Sequence, residues 1–322
     1  MSAAMKAMQF RRYGGPDVLE ITTVAAPTPG PSQLLVQVAA TSINPIDWKR
    51  ASGAYRLLMP VQFPSIPGYD IAGTVAAVGS GVQGFSVGQR VHARIAEAAG
   101  GASAEFAVVG VDVVSAMPDG MTMNDAAALP LAGMTALQAL RDGAQLSMSG
   151  TSDRVLVVGA SGGVGHVAVQ IAKAAGAFVV GVCSAKNAAL VRSLGADDVV
   201  DYAAADPFAA QQPFEVVLDC VGGDASKWAK QLKKGGRYAS VLPTPGLFLR
   251  SFFNAVSSTR AVPVMLKPTA ADLAWLDRLY AAGQLKVVID STFSLEQLAG
   301  AWERSITGRA AGKIVVEVNP GP

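Results

Sequence analysis

A chain of 322 residues, 51 % of them hydrophobic, has enough apolar surface for a large core and enough length for two domains. Charged residues make up only 16 %, and the net charge of +2 is spread without a block of one sign, which excludes a nucleic-acid or membrane-surface role driven by charge. Two cysteines, Cys183 and Cys220, cannot build a disulfide framework. No apolar core of signal-peptide length precedes the first arginines, and no apolar run reaches bilayer length, so the expected compartment is a reducing cytoplasm.

Up to about residue 120 the chain reads as short strands. "LLVQVAATSI", "IAGTVAAVG", "QRVHARI" and "AEFAVVGVDVVSAM" are rich in β-branched residues and are bounded by "PTPGP", "SIPG" and "SVGQ". From "TMNDAAALPLAGMTALQAL" the texture becomes Ala/Leu-rich helix. "RVLVVGA" is then a short uninterrupted apolar strand of the kind buried on both faces of a parallel sheet. After it Val164, Val167, Ala168, Ile171, Ala172 and Ala175 recur at helical spacing, and Gly176 can end the helix. Strand "FVVGVC", helix "NAALVRSL", strands "DVVDY" and "EVVLDCVG", helix "ASKWAKQL" and strand "RYASVL" continue the alternation. Such a rhythm means βαβ units in a doubly wound parallel sheet, an α/β fold. A helix at "ADLAWLDRLYAA", another behind a Ser294/Gln297 capping box, and the strand "KIVVEV" complete the chain. The simplest architecture is a β-rich domain built from both chain ends and interrupted by a nucleotide-binding domain.

Between the first parallel strand and its helix lies "GASGGVG", residues 159–165, with Ala160, Ser161, Gly162, Gly163 and Val164 at its centre. Read as A-x-G-x-x-G, it has Ala160 in the place of the first glycine of the dinucleotide fingerprint. Gly162 and Gly163 let backbone approach a pyrophosphate, Gly165 permits close helix–strand packing, and the helix start offers free N–H groups. A carboxylate about twenty residues further on would take the ribose hydroxyls of NAD. "VCSAKN" has none there. Ser184 can donate to a 2′-phosphate and Lys186 can neutralise it, so the expected cofactor is NADPH. The alternative makes Lys186 a solvated residue at a helix start.

Together these pieces resemble the medium-chain dehydrogenase/reductase superfamily, in its zinc-free quinone oxidoreductase-like branch, which includes alkenal/enone reductases. The resemblance runs through "PTPGPSQLLVQVAATSINPIDWKRASGAY", "PSIPGYDIAGTVAAVGSGVQGFSVGQRV", "LPLAGMTALQAL", "VLVVGASGGVGHVAVQIAKAAGA", "LGADDVVDY" and "GKIVVEV". It implies a Rossmann domain at 124–265 inserted in a GroES-like catalytic domain at 1–123 and 266–322. Zinc-dependent members carry cysteine and histidine ligands that are missing here: Gly68, Tyr69 and Asp70 stand where Gly-His-Glu would fall, and "SINPIDWK" has no cysteine. No metal is expected. What remains is hydride transfer from the nicotinamide to a small acceptor that is already electrophilic, a quinone or an α,β-unsaturated carbonyl.

The resemblance further places Asn44 near the nicotinamide, has Asp47 hold the loop, and puts Tyr55 where related enoyl-thioester reductases carry a proton-donating tyrosine. Tyr55 is the expected oxygen-polarising or proton-donating group. In the competing reading it is a pocket wall and solvent supplies the proton. Asn44 and Asp47 could also be turn formers beside Pro45. Thr135, Tyr202 and Lys313 match family positions near the cofactor, and backbone groups at Cys220, Val221, Val241 and Leu242 lie at strand ends where ribose and nicotinamide should pass. His92 and His166 read as structural. "GLFLRSFF" either lines the substrate cleft or packs at a subunit interface, and a homodimer is what the resemblance implies. Alternative functions are an enoyl-thioester reductase or a non-catalytic NADPH-binding sensor.

Overall fold

The structure, a computed structural model, describes residues 4–96, 100–204, 211–222, 225–242, 244–255 and 257–319. The first part of the chain forms strands β1 (Ala4–Gln9), β2 (Glu20–Ala25) and β3 (Gln33–Ile43), helix α1 (Pro45–Ala51), strands β4 (Asp70–Val78), β5 (Arg90–Arg94), β6 (Phe106–Gly110) and β7 (Val114–Ala116), and helices α2 (Met123–Ala128) and α3 (Pro130–Gln138). There follow β8 (Arg154–Val158), α4 (Gly165–Ala174), β9 (Phe178–Cys183), α5 (Ala188–Ser193), β10 (Asp198–Asp201), β11 (Phe214–Asp219), α6 (Ala225–Ala229), β12 (Leu232–Ser240), α7 (Pro245–Phe252) and β13 (Arg260–Pro263). The last part supplies α8 (Ala270–Ala281), β14 (Ile289–Ser294), α9 (Leu298–Ile306) and β15 (Lys313–Glu317).

The chain divides into two units, one of Met1–Leu131, Pro268–Ala281 and Ile289–Pro322, the other of Ala132–Lys267 and Ala282–Val288. In the first, the described strands form a β1–β2 ribbon and a sheet of order β14-β15-β3-β4-β5-β7, with β6 also on β3. β15 lies antiparallel to β3, which is why both chain ends build one unit. Leu34, Val36 and Val38 alternate inward from β3 onto Ile71, Val75, Val91 and Val109.

In the second unit the described strands form one parallel sheet of order β10-β9-β8-β11-β12-β13. The chain moves outward from β8 through β9 to β10, then returns to the other side of β8 with β11. That reversal is a topological switch point, and ligands of such sheets bind beyond the carboxyl ends of the strands beside it.

These units differ from the division expected at 123/124 and 265/266. α2 packs against β3, β4 and β15, and Tyr280 Oη donates to Asp125 Oδ2 (2.8 Å), so α2 stays with the β-rich unit. The return segment Ala282–Val288 is held to α4 by reciprocal bonds between the Gln170 amide and the Lys286 backbone (2.7 and 2.9 Å). "GLFLRSFF" lies in and just after α7, with Leu247 buried and Phe248, Leu249, Phe252 and Phe253 exposed. Among the described residues no helix is long and apolar enough to cross a membrane.

Candidate active site

β3 alternates up to Ala40, after which Thr41, Ser42, Ile43 and Asn44 are all buried. A run of buried polar groups must find partners inside. Thr41 Oγ1 donates to the Asp70 carbonyl (2.6 Å), while Ser42 Oγ (3.0 Å) and Asn44 Nδ2 (2.8 Å) both donate to Asp70 Oδ2. The Leu131 N–H occupies Asp70 Oδ1 (3.0 Å). Lys313 enters from the start of β15, only 3 % exposed. Its Nζ donates to Asn44 Oδ1 (2.6 Å) and the Ile43 carbonyl (3.1 Å), with Asp70 Oδ2 3.7 Å away. Burial lowers the Lys313 pKa, and the charges of Asp70 and Asp47 oppose that shift. The Asn44 amide is thus clamped at both ends, its oxygen on an ammonium and its nitrogen on a carboxylate. One N–H of that amide has no acceptor among the described residues.

Asn44 is also the N-cap of α1, with Pro45 in the first turn, and its backbone N–H donates to Asp47 Oδ2 (2.7 Å). The Asp47 carboxylate thus accepts from the backbone at the start of its own helix, whereas the Asn44 side chain is directed to Asp70 and Lys313. Asp47 Oδ1 is buried without a hydrogen-bond partner and lines a small cavity with Phe10, Arg50, Pro67 and Tyr69. Arg50 spans that cavity, donating to Tyr69 Oη (3.1 Å) and the Pro60 carbonyl (3.2 Å). Tyr55 follows in the turn after α1, half-buried, its hydroxyl without a partner among the described residues.

Burial raises the Asp47 carboxyl from 3.8 to about 7, the Asn44 N–H opposes this, and the nearby Asp70 charge adds to it. The folded state therefore holds a proton that the unfolded chain releases. That contribution to stability is complete below about pH 4 and is lost as pH rises through about 7. Asp47→Asn keeps an acceptor for the Asn44 N–H and is neutral throughout. Urea titrations from pH 4 to 8 should show the variant gaining on the wild type as pH rises, with a ceiling of about 4 kcal/mol. A difference independent of pH would contradict this account.

In the second unit, the turn after β8 needs glycine at two points for steric reasons. Gly159 has φ +76°, and a Cβ there would lie 2.5 Å from Val221 Cγ2. A Cβ on Gly165 would lie 2.1 Å from the Gly159 carbonyl oxygen. Gly162 differs: within 4 Å its Cβ would meet only that oxygen, at 3.3 Å, so the backbone is open to approach. Val164 caps α4. Ser161, 8 % exposed, accepts from Asn187 Nδ2 (2.9 Å). Beyond β9, Ser184 is half-buried and Lys186 exposed, and neither side chain has a partner among the described residues.

The same edge carries Tyr202 after β10, exposed, with its N–H on the Cys183 carbonyl (3.3 Å). Cys220 and Val221 follow β11, and Val241 and Leu242 follow β12. Their N–H groups are spent on the Val158 carbonyl, Asp219 Oδ1, the Asp219 carbonyl and Ser240 Oγ respectively (2.9–3.2 Å). Their backbone offers carbonyl oxygens rather than donors. Burial, reinforced by Asp219, raises the Cys220 pKa, so its thiol is no nucleophile. Thr135 lies within α3, largely buried. Residues 161–164, 184, 186, 202, 220, 221, 241 and 242 thus share one sheet edge, while Asn44, Asp47 and Lys313 form a separate hydrogen-bonded cluster.

Residues 30–123 match the alcohol dehydrogenase GroES-like domain family and residues 194–316 the zinc-binding dehydrogenase family. The chain is 40 % identical to the chloroplast envelope quinone oxidoreductase homolog of Arabidopsis thaliana, over 97 % of this chain and 98 % of that relative. It belongs to the quinone oxidoreductase family of the medium-chain dehydrogenases/reductases. This oxidoreductase is also 35 % identical to the 2-methylene-furan-3-one reductase of Solanum lycopersicum, over 98 % of this chain and 80 % of that one. The solved quinone oxidoreductase from Coxiella burnetii superposes with a TM-score of 0.89 at 32 % identity, covering 98 % of this chain and all (100 %) of the other.

Zinc is part of one matching family's name, and the residues of this oxidoreductase do not fit it. Zinc takes thiolate, imidazole and carboxylate ligands at tetrahedral spacing. Among the described residues no three His, Cys, Asp or Glu side chains converge to hold an ion. Asp70 lies 3.7 Å from the Lys313 ammonium instead, and Asp47 accepts from the Asn44 N–H. His92 is engaged elsewhere, with Nδ1 3.0 Å from the Ala126 carbonyl and Nε2 2.9 Å from Asp277 Oδ1. His166 Nδ1 lies 3.0 Å from the Gly162 carbonyl.

Sequence reasoning missed two members of these clusters. Asp70 stood out only as a replacement for a zinc-family residue, although one acid opening the apolar strand "DIAGTVAAV" signals a buried partner. Asn187 was visible beside Lys186, but its partner Ser161 lies 26 residues away, beyond local pattern.

Proposed function

We propose that this oxidoreductase binds NADPH at the carboxyl edge of its parallel sheet and reduces small electrophilic acceptors, quinones or α,β-unsaturated carbonyls, without a metal. The observation that carries this reading is the donor set after β9: Ser184 and Lys186 are unspent among the described residues, and 184–187 hold no carboxylate. A 2′-phosphate accepts hydrogen bonds only and carries negative charge, so it matches a hydroxyl and an ammonium and would be repelled by an acid. The open backbone at Gly162, with Ser161, Gly163, Val164 and the start of α4 beside it, suits a pyrophosphate. The carbonyls of Cys220, Val221, Val241 and Leu242 would receive ribose and carboxamide donors, with Tyr202 beside the adenosine end and Thr135 near the nicotinamide.

The bound cofactor supplies a hydride. Reduction of an enone leaves negative charge on the carbonyl oxygen, where a preorganised donor lowers the barrier. The free N–H of Asn44 and the unspent Tyr55 hydroxyl are the donors we assign to it, Tyr55 also giving the proton. Asp47 holds the loop that carries them. Lys313 orients Asn44 and leaves no charge for a phosphate. The names of the tomato reductase and the quinone oxidoreductases support this acceptor class. The free cysteines suit the cytoplasm, and a homodimer would cover the exposed aromatic face of α7.

The test follows absorbance decay of NADPH and NADH side by side, with an aromatic ortho-quinone and a medium-chain trans-2-alkenal. NADPH should be consumed with at least one acceptor, and NADH far more slowly. If NADPH binds and neither acceptor consumes it, the reductase reading fails and the sensor reading replaces it.

A further inference from the structure

Two bonding systems join the glycine turn to the end of β9 and to the segment after it. The N–H groups of Gly159 and Ala160 both donate to the Val182 carbonyl (3.0 and 2.9 Å). Asn187 Nδ2 then donates to Ser161 Oγ across the mouth of the turn (2.9 Å), while the Asn187 backbone N–H closes its own turn on the Ser184 carbonyl (2.9 Å). The backbone pair accounts for the position of the turn. The side-chain bond settles the polarity of one hydroxyl.

A serine hydroxyl has one hydrogen and two lone pairs. Asn187 fills a lone pair, so Ser161 faces Asn187 as an acceptor. Its hydrogen is taken by no acceptor among the described residues and must point away from the amide. Phosphate oxygens accept and never donate. We infer that Asn187 is a positioning residue of the nucleotide site, holding Ser161 as a dedicated donor to a cofactor phosphate. The inference rests on the nucleotide-binding reading of this edge. It assigns Asn187 a role that does not require the residue to touch the cofactor.

The readout is binding, measured by calorimetry with NADP⁺, NAD⁺, 2′,5′-ADP and ADP-ribose. Asn187→Ala should weaken a phosphate-bearing probe roughly fivefold, and Ser161→Ala roughly tenfold. The double variant should bind no worse than Ser161→Ala alone, because both act through one hydroxyl. Asn187→Asp keeps the shape of the side chain, so the fold is preserved, but it accepts the Ser161 hydrogen. Its loss should be several-fold larger with Ser161 present than in the Ser161→Ala background, where only charge repulsion remains. Losses confined to 2′,5′-ADP would identify the 2′-phosphate as the partner, and losses with ADP-ribose the pyrophosphate.

The inference is overturned if Asn187→Ala stays within about twofold of wild type for every probe, or if the two alanine losses multiply in the double variant. Equal wild-type affinity for NAD⁺ and NADP⁺ would instead refute the NADPH reading. A loss of affinity in Asn187→Ala, on whichever probe it falls, is read against the wild type with that same probe and does not depend on the NAD⁺ to NADP⁺ ratio, so the two failures are distinguishable.

Discussion

Replacing Asp70 with asparagine is expected to destabilise the protein by roughly 3–5 kcal/mol, because it leaves the Lys313 ammonium buried without its counter-charge. Three donors, from Ser42, Asn44 and Leu131, converge on the two oxygens of the Asp70 carboxylate, and an asparagine amide has only one acceptor oxygen and turns a donating NH2 toward the remaining donors. Lys313→Met removes the ammonium while keeping the apolar stem, and by itself strands the carboxylate. Combining the two changes removes both charges, so the double variant should recover about 2 kcal/mol or more relative to the sum of the single losses. Urea denaturation of the four proteins measures this coupling. Strict additivity would mean that the 3.7 Å pair is a bystander. Lys313→Met also separates two roles for the lysine. As a holder of Asn44 it should leave NADP⁺ affinity within about twofold, whereas a phosphate contact would cost roughly tenfold or more.

The contrast between those roles shows where sequence reading reached its limit. Family resemblance places Lys313 near the cofactor, and "GKIVVEV" sets it at the head of β15. That its charge is consumed by Asn44 and Asp70 depends on β15 pairing with β3, two segments about 270 residues apart in the chain. The parallel strands were legible because each is an apolar run buried on both faces, and the glycine turn because steric demand fixes residue type locally. α7 was legible in principle: Thr244 caps it, accepting from the Leu247 N–H, with Pro245 in the first turn. Its aromatic sequence drew the reading toward a cleft or an interface instead. Composition groups α2 with the helical half, although its packing partners are strands of the β-rich unit. Local texture carries secondary structure well and carries allegiance between segments poorly.

Cofactor choice should invert on changing two residues beyond β9. Ser184→Asp places a carboxylate where no acid now stands, and Lys186→Ala removes the ammonium. A unit charge about 4 Å from a dianion contributes about 2 kcal/mol in water and more in a lower effective dielectric. Losing the attraction and adding a repulsion therefore totals about 4 kcal/mol, or roughly a thousandfold in kcat/KM for NADPH. NADH has only ribose hydroxyls at this position, and the new carboxylate can accept from them, so its kcat/KM should hold steady or rise. Lys186 is exposed, so raising the ionic strength should erode the NADPH preference proposed for the wild type and, by screening the new carboxylate, relieve part of the NADPH loss in the double variant. Steady-state rates with both cofactors at low and high salt test the argument together. Loss of NADPH activity without any salt dependence would mean that shape, and not the charge of Lys186, selects the cofactor.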